Sequence, residues 1–153
     1  MTNEEYIEIA LKEASKAYKK DEVPVGAVIV KNGKILAKAY NKRESSRDAT
    51  SHAEILCIKK ACKKIKDFRL LDCDIYVTLE PCLMCLGALL NARVRTIYFG
   101  ASINKQESIK SQEIIDRAGL NHKCNIVGGI LEQECSNLVS NYFKDKRKSK
   151  KQA

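Results

Sequence analysis

The sequence contains no long hydrophobic run, and no stretch approaches the roughly 20 apolar residues that a membrane-spanning helix requires. Its N-terminal segment mixes glutamate, lysine and apolar residues, so no apolar stretch follows a basic start as in a secretory signal peptide. Internal repeats and linker-like segments are also absent. From these absences we expect 153 residues to form one soluble globular domain in the cytoplasm.

Histidine is scarce, whereas cysteine is abundant: the chain has two histidines and seven cysteines. In a reducing compartment, paired cysteines indicate metal or catalytic sites rather than disulfides. Cys82 and Cys85 form such a pair. The other cysteines lie within apolar patterns, where a thiol behaves as a small hydrophobic group; they are Cys57, Cys62, Cys73, Cys124 and Cys135.

Positive charge exceeds negative charge, with 28 Lys and Arg against 19 Asp and Glu and a net charge of +9. This excess favours polyanionic partners through contacts with phosphate groups. It also fits a solvated surface that only keeps the protein soluble, and composition leaves both explanations open. Lysine dominates the C-terminal end, where we expect a frayed basic tail from about residue 144.

Hydrophobic periodicity predicts a mixed α/β fold. Thr2 and Glu5 have the spacing of a capping box, and an amphipathic helix is expected over 3–19. Two β-rich runs at 25–30 and 35–40 flank Asn32-Gly33 and predict a hairpin. The remaining predictions are a polar loop at 41–51, helices at 52–65, 81–91, 112–117 and 131–147, and strands at 74–79, 94–99 and 126–127. This succession implies one mixed sheet with helices on both faces.

Two short motifs lie at predicted helix starts: His52-Ala53-Glu54 and Pro81-Cys82-Leu83-Met84-Cys85. Sheets of this type have their active sites where strand ends meet helix starts. Two sulfurs on one helical turn can bind the same ion, and the partial positive charge of a helix N-terminus favours the thiolate. Zinc binds Cys and His tetrahedrally, and a site with three protein ligands keeps the fourth position for water, as in catalytic zinc centres.

A lone Cys-x-x-Cys is more often half of a structural zinc site or a redox pair. A structural site needs two further ligands with matching spacing, but His122 and the remaining cysteines are scattered singly. A redox pair leaves His52 and Glu54 unexplained. His-x-Glu followed by Pro-Cys-x-x-Cys is the signature of zinc nucleobase deaminases, in which the glutamate is a general acid and base rather than a ligand. The pattern therefore predicts Zn²⁺ held by His52, Cys82 and Cys85, with Glu54 as the catalytic proton shuttle.

The sequence resembles the bacterial tRNA-specific adenosine deaminases along nearly its whole length. The matching stretches are 22–28, 51–55, 76–85, Gly87-Ala88, 98–101 and Asn121-His122. The resemblance implies a single deaminase domain over 1–153, with a three-layer α/β/α sandwich and a five-stranded mixed sheet of the cytidine deaminase-like type. It also implies a homodimer that deaminates the wobble adenosine of a tRNA anticodon to inosine.

The same resemblance suggests substrate-binding residues. Asn41 matches the position that hydrogen-bonds the target nucleotide, and Ala53 is also assigned to substrate binding. Phe143 and Arg147 match positions that meet the anticodon loop. Basic residues near the C-terminus are expected to contact RNA phosphates: Lys144, Lys146, Arg147, Lys148, Lys150 and Lys151. One departure is Ile103, which replaces an acidic residue beside the ribose and cannot accept a hydrogen bond from a 2′-hydroxyl.

Two alternative functions remain open at this stage. A deaminase of a free nucleobase or nucleoside, of the cytosine or guanine type, would share the fold and the zinc chemistry but would be indifferent to the basic tail and to salt. A catalytically silent zinc protein that binds RNA or another partner usually lacks the glutamate, so Glu54 argues against it.

Overall fold

A computed structural model describes residues 1–102 and 111–152 of the chain, with side chains described as far as Lys150. Within these ranges, the strands of the sheet are β1 (Gly26–Lys31), β2 (Lys34–Tyr40), β3 (Cys73–Leu79), β4 (Thr96–Ala101) and β5 (Asn125–Val127). Their order across the sheet is β2-β1-β3-β4-β5. β1 is antiparallel to β2 and β3, whereas β3, β4 and β5 are mutually parallel. The predicted five-stranded mixed sheet is confirmed.

Helices cover both faces of this sheet. They are α1 (Asn3–Lys19), α2 (Ala53–Ile65), α3 (Leu83–Asn91), α4 (Ser111–Arg117) and α5 (Glu132–Gln152). α1 contacts α5, while α3 contacts both α2 and α4. Val28 and Ile29 are adjacent on β1 and therefore face opposite sides, yet both are fully buried. The three-layer α/β/α arrangement is thus confirmed. No helix in the described ranges is both long and apolar enough to cross a bilayer.

Local signals account for the N-terminal elements. The hydroxyl of Thr2 accepts a hydrogen bond from the N–H of Glu5 at 3.2 Å, and the Glu5 carboxylate accepts one from the N–H of Thr2, which completes the predicted capping box. Asn32 and Gly33 both have positive φ, 50° and 76°. This conformation is the one that a two-residue hairpin turn between twisted strands requires. The predicted hairpin is confirmed.

The predicted start of α3 at Pro81 was wrong, because the helix begins at Leu83. Cys82 is the N-cap residue, with extended φ and ψ of −72° and 173°. Its carbonyl accepts the first helical hydrogen bond, from the N–H of Leu86 at 2.9 Å. The predicted strand at 94–99 also begins later, at Thr96, because the N–H of Val94 is bonded to Leu89 in the turn that closes α3.

The expectation of a frayed tail from residue 144 was also wrong, since α5 continues to Gln152. Lysine and arginine have high helix propensity. The helix is tied to the end of α1, because the Tyr142 hydroxyl donates to the Asp21 carbonyl at 3.2 Å and the Lys146 ammonium donates to the Asp21 carboxylate at 2.6 Å. The predictions for Ile103 and for the side chain of Lys151 lie outside the described residues.

Gly26 lies where α1 packs directly on β1. A Cβ atom at this position would lie 1.9 Å from the carbonyl oxygen of Ala10 and 2.6 Å from the nitrogen of Ala14, both of which are backbone atoms. We expect Gly26→Ala to lower the free energy of unfolding by about 3 kcal/mol or more, because the helix must move off the sheet. Urea denaturation measures this loss.

Gly87→Ala in α3 is the matched control, because an added methyl group there meets no atom within 4 Å. We expect it to leave stability unchanged or to raise it slightly, since alanine favours helix over glycine. A Gly26→Ala protein as stable as the wild type would contradict the close approach of α1 and β1.

Candidate active site

The two helices that carry the motifs begin at the same edge of the sheet. Because β1 is antiparallel to both β2 and β3, the latter two strands run in the same direction and end at one edge. α2 follows β2 and α3 follows β3 along the chain. The residues that precede these helices, His52 and Cys82, are therefore brought together at this edge, with the start of β1 between them.

His52 and Cys82 occupy the N-cap positions of α2 and α3 with extended backbone conformations. A side chain at this position commonly accepts a hydrogen bond from the first helical N–H groups. Neither of these two side chains does so. Both side chains are therefore available to bind a metal ion. Cys85 lies in the first turn of α3, where the partial positive charge of the helix N-terminus favours a thiolate.

The three donor atoms have the separations of a tetrahedral metal site. The Nδ1 atom of His52 is 3.6 Å from the Sγ atom of Cys82 and 3.6 Å from that of Cys85. All three atoms lie within 4.8 Å of one another. A tetrahedral zinc ion with Zn–S of about 2.3 Å and Zn–N of about 2.0–2.1 Å separates nitrogen from sulfur by about 3.6 Å. The residues therefore fit zinc in both chemistry and spacing.

Cys82 differs in acidity from the other cysteines, because its pKa alone is lowered. A hydrogen bond with Cys85 lowers the pKa of Cys82 to about 5, and the same bond raises the pKa of Cys85. Elsewhere, burial raises the pKa of Cys57 and Cys135 to about 12, so these thiols are unreactive. The expectation of small buried hydrophobic groups is confirmed for Cys57, Cys73, Cys124 and Cys135, whereas Cys62 is half-buried.

Glu54 is a buried carboxylate beside these ligands, with only 4% of the residue exposed. Its Oε1 atom has no hydrogen-bond partner and is the one such buried side-chain oxygen or nitrogen in the described parts of the chain. Burial raises the pKa of Glu54 to about 7. The carboxyl group shares a hydrogen bond with the Cys85 thiol, so one of its two oxygens is left without a partner. A buried polar atom without a hydrogen bond costs stability, and groups with a strongly perturbed pKa concentrate at functional sites.

A cavity of about 170 Å³ opens next to the three donor atoms. Its walls are apolar on the side of β1 and β3 and carry acidic, basic and amide groups elsewhere. The lining residues are Val23, Val25, Asn41, Arg43, His52, Glu54, Leu79, Glu80 and Cys82. A cavity that combines apolar walls with a few polar groups is typical of a small-ligand site.

Asn41 lies in this cavity wall, but Ala53 does not. Asn41 is buried, and its Oδ1 accepts a hydrogen bond from the N–H of Ala53 at 2.7 Å. The side-chain oxygen thus caps α2 in place of His52, and the Asn41 amide nitrogen keeps its donor capacity. Ala53 is fully buried and is not among the residues that line the cavity. A substrate contact by either residue stays a prediction.

Phe143 and Arg147 lie on α5 outside the site cavity. Phe143 is 39% exposed and lines a second cavity of about 140 Å³ with Ser136 and Ser140. This cavity shares Leu79 with the first, so the two are neighbours. Arg147 is exposed one helical turn after Phe143. Phe143 therefore lies near the candidate catalytic centre, whereas Arg147 lines neither cavity, and the contact of either residue with a substrate stays a prediction.

Two cavity residues, Arg43 and Glu80, were missed at the level of sequence. Arg43 lies in a polar loop where no spacing signal distinguishes it from neighbouring charges. Glu80 directly precedes Pro81, and its carboxylate accepts hydrogen bonds from the hydroxyls of Ser102 and Ser111. Its position at the carboxyl end of β3 was the available signal, because functional side chains concentrate there.

Comparison with known proteins agrees with this geometry. Residues 1–144 match the MafB19-like deaminases. The chain is 44% identical over 155 aligned positions to the tRNA-specific adenosine deaminase of Bacillus subtilis, with 100% of this chain and 96% of the relative covered.

Solved structures extend the comparison. A structure from a study of A-to-I editing by tRNA:A34 deaminases at the wobble position is 38% identical, with a TM-score of 0.82 and coverage of 88% of this chain and 98% of that one. Guanine deaminase from Bacillus subtilis is 35% identical, with a TM-score of 0.64 and coverage of 78% and 71%. The chain belongs to the MafB19-like deaminases and, among them, to the family of the tRNA-specific adenosine deaminases.

Proposed function

We propose that this protein is a zinc-dependent deaminase that converts the wobble adenosine of a tRNA anticodon to inosine with release of ammonia. The observation that carries the proposal is a group of three zinc-type donors beside one cavity, together with a buried carboxylate that has one oxygen without a hydrogen-bond partner. Similarity over the full chain to tRNA-specific adenosine deaminases supports the substrate.

His52 Nδ1, Cys82 Sγ and Cys85 Sγ would hold the zinc ion. When bound there, zinc supplies a Lewis acid that lowers the pKa of water from about 15.7 to about 7 and so provides a nucleophile at neutral pH. The donor set supports zinc, because two sulfurs and one imidazole nitrogen suit this ion and leave one of four positions open. The N-terminus of α3, where Cys82 and Cys85 both lie, favours the thiolate forms that bind it.

Glu54 performs the proton transfers. Water adds to the carbon that bears the amino group, and ammonia leaves. The Glu54 carboxylate takes the first proton that water loses and delivers it to the ring nitrogen. It then takes the second proton from the added hydroxyl group and gives it to the amine, so that a carbonyl forms as ammonia leaves. Burial suits this role, because a carboxyl with a raised pKa both accepts and donates a proton near neutral pH. The apolar side chains of Val25 and Leu79 keep bulk water from the reacting base.

The charge distribution supports RNA as the partner. After Phe143, the described part of α5 carries five basic side chains. Lys146 is paired with Asp21, and the other four are exposed: Lys144, Arg147, Lys148 and Lys150. Cations on one helix bind successive phosphates, whereas a free base offers none. The exposed ring of Phe143 provides a face on which an unpaired base stacks. Asn41 would then hold the target base in the site cavity.

The protein would act as a homodimer in the cytoplasm, where its RNA substrate occurs. Leu83 is 70% exposed and Met84 is 37% exposed, although both lie between the cysteine ligands of one motif. Apolar side chains so close to a catalytic centre favour burial against a second copy of the chain.

The substrate is tested by measuring inosine and ammonia from the zinc-loaded enzyme. One substrate is an anticodon stem-loop RNA with adenosine at the wobble position, and the others are free adenosine, cytosine, cytidine and guanine. We expect activity on the RNA, falling steeply with salt because phosphate contacts are screened. Activity on a free base or nucleoside alone would contradict the tRNA substrate and leave the zinc chemistry unchanged. The protein would then be a deaminase of free nucleobases or nucleosides, the alternative function.

Glu54→Gln separates proton transfer from zinc binding. The amide cannot carry a proton, so we expect kcat to fall by about 10²–10⁴-fold while one zinc per chain is retained. His52→Ala is the contrasting variant, because it removes a ligand and should lower zinc content and activity together. Full turnover by zinc-loaded Glu54→Gln would exclude the shuttle role; zinc content is read by atomic emission and turnover by inosine formation.

A further inference from the structure

A second buried carboxylate, Glu22, lies near the cavity and outside the zinc-type group. It follows α1 in the chain and is only 3% exposed. Its Oε1 accepts a hydrogen bond from the N–H of Glu44 at 3.0 Å, and its Oε2 accepts one from the N–H of Ser45 at 2.8 Å. Both oxygens of one buried carboxylate are therefore used to hold two successive backbone amides of another segment.

That segment is the loop over residues 41–51, which connects β2 to His52. Backbone bonds fix its two ends, from the N–H of Asn41 to the Val25 carbonyl at 3.1 Å and from the N–H of Lys42 to the Ser51 carbonyl at 3.0 Å. The hydrogen bonds that the Glu22 carboxylate accepts hold the next part of the loop, directly after Arg43. Asn41 and Arg43 both line the site cavity.

The Glu22 carboxyl group is held in its ionised form, which strengthens its bonds to the loop. Burial by itself opposes ionisation of Glu22, but the N–H groups of Ser45 and Glu44 and the positive charge of Arg43 outweigh it and hold the pKa of the carboxyl below its usual range. Hydrogen bonds to an ionised acceptor are stronger than those to a neutral one. The loop is therefore held by hydrogen bonds to the ionised Glu22 carboxylate as well as by the bonds of its own turns.

The residues that follow Glu22 in the chain also lie at the cavity. Val23 and Val25, one and three residues after Glu22, line it, and the Val25 carbonyl accepts the hydrogen bond from the N–H of Asn41. The Glu22 carboxylate and this backbone bond therefore hold the first part of the loop at the cavity. Substrate binding there depends on where Asn41 and Arg43 lie, and a misplacement of about 1 Å costs as much as about 10²-fold in catalysis.

We propose that Glu22 is a positioning residue for substrate binding: it fixes the 41–51 loop so that Asn41 and Arg43 form the wall against which the target nucleotide binds. The proposal rests on the function proposed above. Glu22 touches none of the zinc-type donors and acts through the loop, so its loss should weaken substrate binding more than it slows the chemical step.

Glu22→Gln tests this role, because the amide offers one carbonyl oxygen and turns its NH₂ group toward the second N–H. For the anticodon stem-loop we expect KM to rise about tenfold or more, with kcat within about threefold of wild type. Zinc content should stay at one per chain. Hydrogen exchange followed by NMR should show lost protection at the amides of Glu44 and Ser45, with protection in β1 retained.

Glu44→Gln is the matched control, since it removes the same negative charge from an exposed side chain of the same loop and leaves both N–H bonds in place. It should keep wild-type KM and amide protection. If Glu22→Gln does not fold, Glu22→Asp replaces it; the shorter side chain keeps the charge but cannot reach both amides, so KM should rise in the same direction.

The outcomes separate this inference from the proposed function. Unchanged KM in an active Glu22 variant, or equal changes in the Glu44 control, would overturn the positioning role and leave the function intact. Joint loss of zinc and kcat would also overturn it, because Glu22 would then support the whole fold. A wild-type enzyme that forms no inosine from the stem-loop would overturn both proposals.

Discussion

The site depends on the meeting of two helix N-termini at one edge of the sheet. β2 and β3 run in the same direction because each is antiparallel to β1, so the helices that follow them start side by side. This arrangement brings an imidazole and two thiols within 4.8 Å and places both sulfurs at the positive N-terminal end of α3. The chain does not need a dedicated metal-binding loop, since the topology of the sheet supplies the geometry.

Two buried carboxylates near this edge illustrate opposite uses of the same group. Glu22 has both oxygens bonded to backbone amides, so its charge is compensated and stabilises a loop. Glu54 has an oxygen without a partner, and burial raises its pKa to about 7. A buried carboxylate oxygen without a hydrogen bond costs free energy, so Glu54 marks a place where stability is given up for chemistry. Burial alone would not have distinguished the two residues; their hydrogen-bond partners do.

Much of this arrangement could be predicted from the sequence. The spacing of His52, Cys82 and Cys85 predicted the three donors that the structure brings together, because ligand chemistry restricts both residue type and separation. Alternating and helical hydrophobic patterns located the strands and most helices, since each element must bury one face. The pairing of Asn32 with Gly33 fixed the hairpin, because few residues adopt its two positive φ angles.

The remainder depends on contacts between distant segments. Pro81 suggested a helix start, but the extended backbone of Cys82 delays the helix by two residues. The lysine-rich end of α5 is helical partly because Tyr142 and Lys146 bond to Asp21, more than 100 positions away in the chain. Arg43 and Glu22 gave no local signal for the same reason, since their roles arise only when the 41–51 loop folds against the start of β1.

The most direct test of the account is X-ray absorption spectroscopy at the zinc edge of the purified, zinc-loaded protein. We predict four-coordinate zinc with two sulfurs at about 2.3 Å, one imidazole nitrogen at about 2.0–2.1 Å and one further oxygen donor at about 2.0–2.2 Å. Such a spectrum would establish an open catalytic position supplied by His52, Cys82 and Cys85. Three or four sulfur ligands, or no zinc at all after loading, would contradict the account, because the fourth position would then be closed or the group would not be a zinc site.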